Sequence, residues 1–219
     1  YEIVVSDWSS DVCSSDLDGS LDSSFDTDGI VTTGIGSASD YGWKVLVQPD
    51  GKIVLAGEAN NGTNSDFAAV RYTSTGALDS TFGTGGKVVT TIGTGTEIAY
   101  TAALQGDGKI ILAGYAAMTN EDFALVRYNT DGTLDTTFDT DGKRVLPLAP
   151  GNNSDFARAV ALHADGSIVL AGYAFNGSDN DVAVTRLEPD GSTRSTFGSS
   201  GVALLNFGQG SDYGLAMTI

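Results

Sequence analysis

One sequence segment recurs three times in this chain. VQPDGKIVLAGEA occupies 47–59, LQGDGKIILAGYA occupies 104–116, and LHADGSIVLAGYA occupies 162–174. The turn aspartates of these copies are 57 and 58 residues apart. A fixed period of this length is typical of repeat architectures, and it constrains the fold more than any single residue does.

Each repeat contains four blocks with the pattern of short strands. The first block ends in an Asp-Gly turn, which supplies the positive φ that a tight hairpin needs. These turns are Asp50-Gly51, Asp107-Gly108 and Asp165-Gly166. The second block is a nearly continuous apolar run, as in a strand buried on both faces. Its closing glycines, at 57, 114 and 172, indicate a bulge or a close backbone approach.

The whole repeat therefore predicts four antiparallel strands with no helical periodicity. Units of this length and strand number match the blades of a β-propeller. We expect an all-β fold of tandem four-stranded antiparallel blades that form a partial, incomplete propeller. Residues 18–219 would hold about three and a half blades of about 57 residues, truncated at both ends.

The first seventeen residues match no part of the repeat. DWSSDVCSSDL (7–17) resembles the translation of a common sequencing adapter, so we interpret 1–17 as a non-native, adapter-derived segment and exclude it from fold reasoning. The alternative is a natural N-terminal strand. The segment contains Cys13, which is the only cysteine, so the remaining chain would have no disulfide and no thiolate chemistry.

The composition is strongly acidic. The chain has 28 acidic and 11 basic residues, a formal charge of −17, and without the four acidic residues of 1–17 the charge is −13. An acidic surface disfavours nucleic acid and anionic membranes as partners. No stretch approaches the roughly 18 apolar residues of a membrane span, so we expect no membrane insertion.

Several repeated motifs resemble those of the delta-60 repeat family. PDGKIVLAG (49–57), LDSTFG (78–83), DFALVRY (122–128) and NTDGTLDTTF (129–138) carry this resemblance, which extends over 18–219. The third copy departs from it, since STRSTF (192–197) replaces the LDxTF form. The resemblance implies a β-propeller-like fold, a secreted or cell-surface bacterial setting, and no catalytic residues.

One arginine recurs in the third block of every repeat. Arg71, Arg127 and Arg186 could line a channel and capture an anion, or they could form structural ion pairs. The candidate partners are Asp79 and Asp135 of the LD motif, or the aspartates that begin the third block. Those aspartates are Asp66, Asp122 and Asp181. We favour the structural interpretation, because the arginine repeats together with the fold.

Two copies contain a pair of aspartates in Asp-x-Asp-Gly form. They are Asp26 with Asp28 and Asp139 with Asp141, and such loops can hold Ca²⁺ through carboxylate oxygens. The equivalent stretches FGTGG (82–86) and FGSSG (197–201) have no acidic residue. We therefore favour a turn motif in which the side chains accept local backbone N–H groups, and we expect no cofactor, with Ca²⁺ as the alternative.

The aromatic residues that recur once per repeat are expected to form the core between blades. They are Phe67, Phe123, Tyr72, Tyr128, Phe25, Phe82, Phe138 and Phe197. Specificity would then lie in the loops where copies differ, and those loops are rich in Asn, Ser, Gly and Thr. Their ranges are 58–65, 115–121 and 173–180 after the second strand, and 93–98, 149–155 and 208–211 before the first strand.

Function is much less constrained than fold. The chain has one histidine and, beyond residue 17, no cysteine. The usual nucleophile–base pairs are therefore not expected. We expect a non-enzymatic scaffold or interaction module of a secreted or cell-surface protein, which binds an unknown protein or glycan as well as further blades of its own chain. The alternatives are a carbohydrate-active propeller enzyme with its site elsewhere, and a Ca²⁺-dependent adhesion module.

Overall fold

A computed structural model describes residues 2–5, 11–15, 19–148 and 153–219, with side chains from residue 19 onward. The assignment of 1–17 to an adapter falls mostly outside these residues and stays a prediction. The strands of the described chain are β1 (Glu2–Val5), β2 (Asp11–Ser15), β3 (Ile30–Thr32), β4 (Tyr41–Val47), β5 (Ile53–Asn60), β6 (Ser65–Tyr72), β7 (Lys87–Thr90), β8 (Glu97–Leu104), β9 (Ile110–Ala117), β10 (Glu121–Tyr128), β11 (Lys143–Leu146), β12 (Asp155–Leu162), β13 (Ile168–Phe175), β14 (Asn180–Leu187) and β15 (Val202–Leu205).

Each repeat folds into one antiparallel sheet whose strands pair in chain order. The three sheets are β4–β7, β8–β11 and β12–β15, and a smaller sheet contains β1, β2 and β3. We call the three four-stranded sheets blades one, two and three. The described residues contain no helix and no closed sheet, so the predicted all-β, partial β-propeller architecture is confirmed.

The blades pack face to face through the strands that the sequence marked as apolar. Residues of β5, β6 and β7 form one buried cluster with residues of β8, β9 and β10, and a second cluster joins blades two and three. The repeated rings Phe67, Phe82, Phe123, Phe138 and Tyr128 lie in these clusters, as expected for inter-blade core. Phe25 and Tyr72 belong to a third cluster, beside blade one, and Phe197 is half-buried.

Successive blades meet along their first strands. Strand β8 contacts β4 and β12, and it also lies against β5 of the preceding blade. We call β4, β8 and β12 the inner strands. The Asp-Gly turns lie at one end of every blade, here named the turn end, and the connections from second to third strand and from blade to blade lie at the opposite, loop end.

A β-bulge interrupts each inner strand near the loop end. The pairing register shifts between Gly42 and Lys44, between Ile98 and Thr101, and between Ala157 and Ala159. The glycines that close the second strands pair beside these bulges, and a Cβ at any of them would overlap a backbone carbonyl oxygen of the inner strand. The predicted close backbone approach is thus present in every blade.

Candidate functional site

The repeated arginines are structural clamps at the turn end. Arg71 Nε donates to Asp79 at 2.8 Å, and Arg127 Nε donates to Asp135 at 2.7 Å. Both arginine side chains are largely buried, and Arg71 also lines an open groove at the turn end together with Lys52 and Thr130. Each also donates to a backbone carbonyl oxygen of the next blade, at Thr130 for Arg71. The geometry therefore matches the ion-pair interpretation with the LD aspartates.

The carboxylate of Asp135 is held ionised by this clamp. Burial alone would raise its pKa, but hydrogen bonds from Lys109 and Thr137 and the charge of Arg127 outweigh burial. The pKa of Asp135 consequently lies well below its usual range. The clamp needs this charge, because a buried guanidinium without a carboxylate would be left unpaired.

The third blade builds a different clamp from its altered sequence. Arg194 stands where the other blades have the LD aspartate. Arg186 donates instead to Asp165 at 2.9 Å, and Arg194 donates to Asp165 at 3.0 Å and to Glu188 at 2.7 Å. Blade three thus lacks the LD aspartate but forms a second set of ion pairs. In this set the turn aspartate Asp165 takes the place of the LD aspartate as the partner of Arg186.

Three of the four aspartates that were considered as calcium ligands accept backbone N–H groups in turns or form an ion pair. Asp28 accepts the N–H of Ile30, and Asp141 accepts the N–H of Lys143 at 2.9 Å. Asp139 pairs with Arg144 at 3.2 Å. In the part of the chain that the structure describes, no group of three or more His, Cys, Asp or Glu side chains is placed to hold a metal ion.

The two sequence forms of this turn encode two backbone paths. In FDTDG the second and third residues are left-handed, with φ of 44° at Asp139 and 71° at Thr140. In FGTGG the second and fourth residues are left-handed, with φ of 54° at Gly83 and 60° at Gly85. Aspartate and glycine both tolerate the second position, which explains why the acidic pair is absent from alternate copies.

Polar side chains of the variable loops connect neighbouring blades. Asn64 donates to the carbonyl oxygen of Gly95 at 2.7 Å, and Asn120 donates to that of Asn153 at 2.6 Å. Residues 58–60, 115–117 and 173–175, which we expected to be loop, are the last residues of the second strands. The side-chain amides of Asn64 and Asn120, in loops that were expected to meet a partner, are therefore already used within the fold.

One acidic residue per repeat fixes the connection that enters each inner strand. These residues are Asp40, Glu97, Asp155 and Asp212. Each accepts backbone N–H groups of the preceding connection, for example Ile92 N–H for Glu97 and Leu148 N–H for Asp155. Sequence reasoning missed this position, although the recurrence of an acidic residue 57 or 58 residues apart was a readable signal.

A continuous row of seven aromatic rings crosses the inner strands at the loop end. We call it the aromatic row, and its members in order of contact are Tyr41, Trp43, Tyr100, Tyr115, Phe156, Tyr173 and Tyr213. Neighbouring ring centroids are 4.8 to 6.4 Å apart, in tilted or edge-on contact, which is the favoured range for aromatic pairs. Contacts within a blade alternate with contacts between blades.

The row is accessible along its length. Trp43, Tyr41 and Tyr213 are 47%, 43% and 52% exposed, and the other four rings are half-buried. Trp43 and Tyr100 lie at the bulges of their inner strands, where the extra residue turns its side chain out of the ladder. The bulges and the close glycine contacts thus serve to hold the rings at this end of the blades.

Two charged residues occupy positions that are aromatic in other blades. Glu58 follows the closing glycine of blade one, where Tyr115 and Tyr173 stand in the other two. Glu58 is buried, at 6% exposure, and pairs with Tyr41 on one neighbouring strand and with Phe67 on the other. Burial raises the pKa of Glu58.

Arg158 is the second charged residue and sits at the bulge of β12. Its guanidinium lies 3.8 Å from the centroid of the Tyr100 ring and 5.6 Å from that of Tyr173, whose hydroxyl accepts a hydrogen bond at 3.1 Å. Among the arginines of the described residues, Arg158 alone has no carboxylate within ion-pair distance.

The pKa of Tyr115 is also shifted in the row. Burial, with the nearby charge of Glu58, raises it to about 12.

The aromatic row was not predicted from the sequence. Its members do not share one repeat position, and specificity was expected in loops and not at strand ends. Two sequence patterns could have predicted the row. An aromatic residue directly follows the acidic residue at the start of an inner strand, at Tyr41, Phe156 and Tyr213, and another directly follows the closing glycine, at Tyr115 and Tyr173.

Comparison with protein families gives three matches within the chain. Residues 48–82, 105–138 and 163–197 each match the model described as a domain of unknown function (DUF5122) beta-propeller. Each match runs from the Asp-Gly turn to the phenylalanine after the LD motif, so the first-strand members of the aromatic row lie outside it. Among curated proteins, no match reaches significance. No helix in the described residues has the length and hydropathy of a membrane span.

Proposed function

This chain is a repeat protein of the DUF5122 β-propeller family, the delta-60-like repeats of unknown function, and we propose that it is a non-enzymatic interaction module. Its blades form the scaffold, and the aromatic row is its binding surface. One observation carries the proposal: seven aromatic rings lie in continuous contact at the loop end, and three of them are more than two-fifths exposed.

The other repeated polar groups support this division of roles. Contacts within or between blades use the arginine clamps, the acidic residues that fix the connections into the inner strands, and the loop amides. Exposed aromatic rings, in contrast, offer large contact area at a low cost in side-chain entropy, which is why they are enriched at binding sites. A function grafted on a repeat scaffold is expected at such differing positions.

Calorimetric titration of the full chain against a panel of peptides and oligosaccharides tests the proposal. We expect at least one saturable ligand whose binding is lost in Trp43→Ala. Phe207→Ala is the matched control, since it removes a ring that is 74% exposed and outside the row. Equal loss in both variants, or no saturable ligand, would count against the aromatic row as a binding surface.

We propose that binding and folding are independent of calcium, because the Asp139 and Asp141 carboxylates are already engaged with Arg144 and the Lys143 N–H. Thermal melts with 1 equivalent or an excess of Ca²⁺ and with a chelator should give the same midpoint. A chelator-dependent fall in the midpoint would instead support a calcium-dependent adhesion module.

We further propose a secreted or cell-surface setting, which the likeness to the delta-60 repeats supports. Fractionation of cells that express the complete reading frame, with immunodetection of the repeats, tests this. Retention in the cytoplasm would contradict it.

A further inference from the structure

We propose that the blade-one end of the aromatic row binds a cationic side chain of a basic polypeptide segment. Tyr41 and Trp43 would contact the cation, and Glu58 would balance its charge. This inference deepens the proposed function and rests on it, because it names the class of partner that the row receives.

The two rings at this end form an open pair. Tyr41 and Trp43 lie on one strand with their centroids 6.4 Å apart and their planes tilted by 30°, and both are more than two-fifths exposed. The register places Glu58 directly opposite Tyr41 on the neighbouring strand. Glu58 and Tyr41 therefore lie side by side at this end of the row, and Tyr41 in turn contacts Trp43.

Glu58 is a buried acid without a basic partner. No ion pair joins it to any lysine or arginine in the described part of the chain. A buried carboxylate in this situation is costly unless a cation or strong donors compensate it. A guanidinium or ammonium group arriving over the adjacent rings would supply the missing charge.

Tyr100, the ring next to Trp43 in the row, shows that these rings accept a guanidinium. Arg158 places its own guanidinium 3.8 Å over Tyr100 and in reach of Tyr173. At the equivalent bulge in blade one stands Trp43, which is the best cation-accepting ring, and no cation of the chain covers it among the described contacts. Arg158 therefore covers the row at Tyr100 and reaches Tyr173, whereas no described cation lies over Tyr41 or Trp43.

The charge of the whole chain favours the same partner. With a formal charge of −17, the protein attracts basic segments and repels acidic polymers. A neutral glycan would gain nothing from this field or from Glu58. We therefore favour a basic polypeptide over a glycan.

Trp43 itself reports on the site. The only other tryptophan is Trp8, so Trp8→Phe leaves a single fluorophore. In that background we would titrate the full chain with a blocked pentapeptide of alternating glycine and arginine, and with the same peptide in which citrulline replaces arginine. The arginine peptide should change the emission saturably, and the citrulline peptide should bind at least about tenfold more weakly.

Two variants with the same charge change separate a local site from general attraction. Glu58→Gln should weaken binding of the arginine peptide about tenfold. Asp107→Asn, at the exposed turn end of blade two, should weaken it less than about twofold, because salt screens distant exposed charges. Circular dichroism of each variant verifies that the fold is retained.

The possible results separate failure of the cation inference from failure of the proposed function. Equal losses in Glu58→Gln and Asp107→Asn, or equal affinity for the citrulline peptide, would overturn the cation site. If the citrulline peptide binds as tightly as the arginine peptide, or if only a neutral oligosaccharide binds, and Trp43→Ala abolishes that binding, the row remains a binding surface and only the cation inference fails. If neither peptide nor oligosaccharide binds, the cation inference and the proposed function both fail.

Discussion

Single residues in this protein are constrained either by repeated backbone contacts or by one local role. Gly114 illustrates the first kind, because a Cβ there would overlap the carbonyl oxygen of Ile98 on the bulged inner strand. Glu58 illustrates the second, since it occurs once and faces the aromatic row. Substitutions at the first kind of residue should destabilise the fold, whereas substitutions at the second kind should weaken binding without destabilising it.

Gly114→Ala should destabilise the fold by about 3 kcal/mol, since the backbone of a bulged strand cannot move aside cheaply. Gly106→Ala is the control, because open space surrounds the position of its Cβ. Urea unfolding of both variants gives the comparison. Similar midpoints for the two would show that the close approach of strands β8 and β9 is not rigid.

Glu58→Gln should stabilise the protein while it weakens cation binding. Burial raises the folded-state pKa of Glu58, so the ionised group disfavours the folded state as pH rises through that value. At neutral pH the variant should melt about 2–4 °C higher, and the gain should vanish below about pH 4, where the acid is protonated in both states. A lower melting temperature at neutral pH would mark Glu58 as an ordinary structural residue.

The arginine, aspartate and glycine roles could be predicted because each recurs with the fold. Glu58 and Arg158 could not, since each is the exception at a position that is aromatic in the other blades. Their importance depends on which side chains the bulges bring together, and the pairing register decides that.

At the scale of elements, the clamp between third strand and following turn ties each blade to the next. Arg127 lies over the Phe138 ring at 4.7 Å, pairs with Asp135, and reaches the Pro189 carbonyl of blade three. The clamp therefore couples an ion pair, a ring and an inter-blade contact. Loss of the clamp should therefore lower the stability of both blade two and blade three.

Asp135→Asn should lower stability at neutral pH by about 3 kcal/mol, since it leaves Arg127 buried without a carboxylate. The pKa of Asp135 is depressed in the folded state, so its contribution is present above about pH 4 and is lost as pH falls below that value. Urea unfolding between pH 2 and 7 should show a flatter acid dependence in the variant. An exposed-site variant, Asp107→Asn, should change little, and an equal effect of both would contradict the clamp.

Strand order and turn chemistry followed from the sequence because hairpins and apolar runs are local signals. Strand ends did not, since Tyr115 and Tyr173 extend second strands beyond the closing glycine, where the sequence suggested a loop. Pairing with the third strand overrides the local glycine there.

At the scale of the molecule, blade three presents an unpacked face. Strands β6 and β10 are buried nearly throughout, whereas β14 alternates buried and half-exposed residues. Beyond it, exposed apolar side chains accumulate at Leu204, Leu205, Phe207, Tyr213, Leu215 and Ile219. We propose that this face packs against a further blade or another copy of the chain, since exposed apolar sheet faces favour association.

We accordingly expect residues 18–219 to self-associate in a concentration-dependent way. Val184→Lys should reduce association, because Val184 lies on the half-exposed face of β14 while its neighbour Ala183 faces the core shared with blade two. Light scattering measures both. A monomer at high concentration that melts cooperatively would contradict the expectation.

The central claim is that the aromatic row, and not the repeated turn end, is the binding surface. Hydrogen–deuterium exchange of the full chain, with and without the arginine peptide, tests it most directly. We predict slower exchange in 40–46, 56–60 and 98–101, and unchanged exchange in the turn segments 48–52 and 105–109. Protection that falls on the turn segments, or protection spread evenly over the chain, would contradict the account.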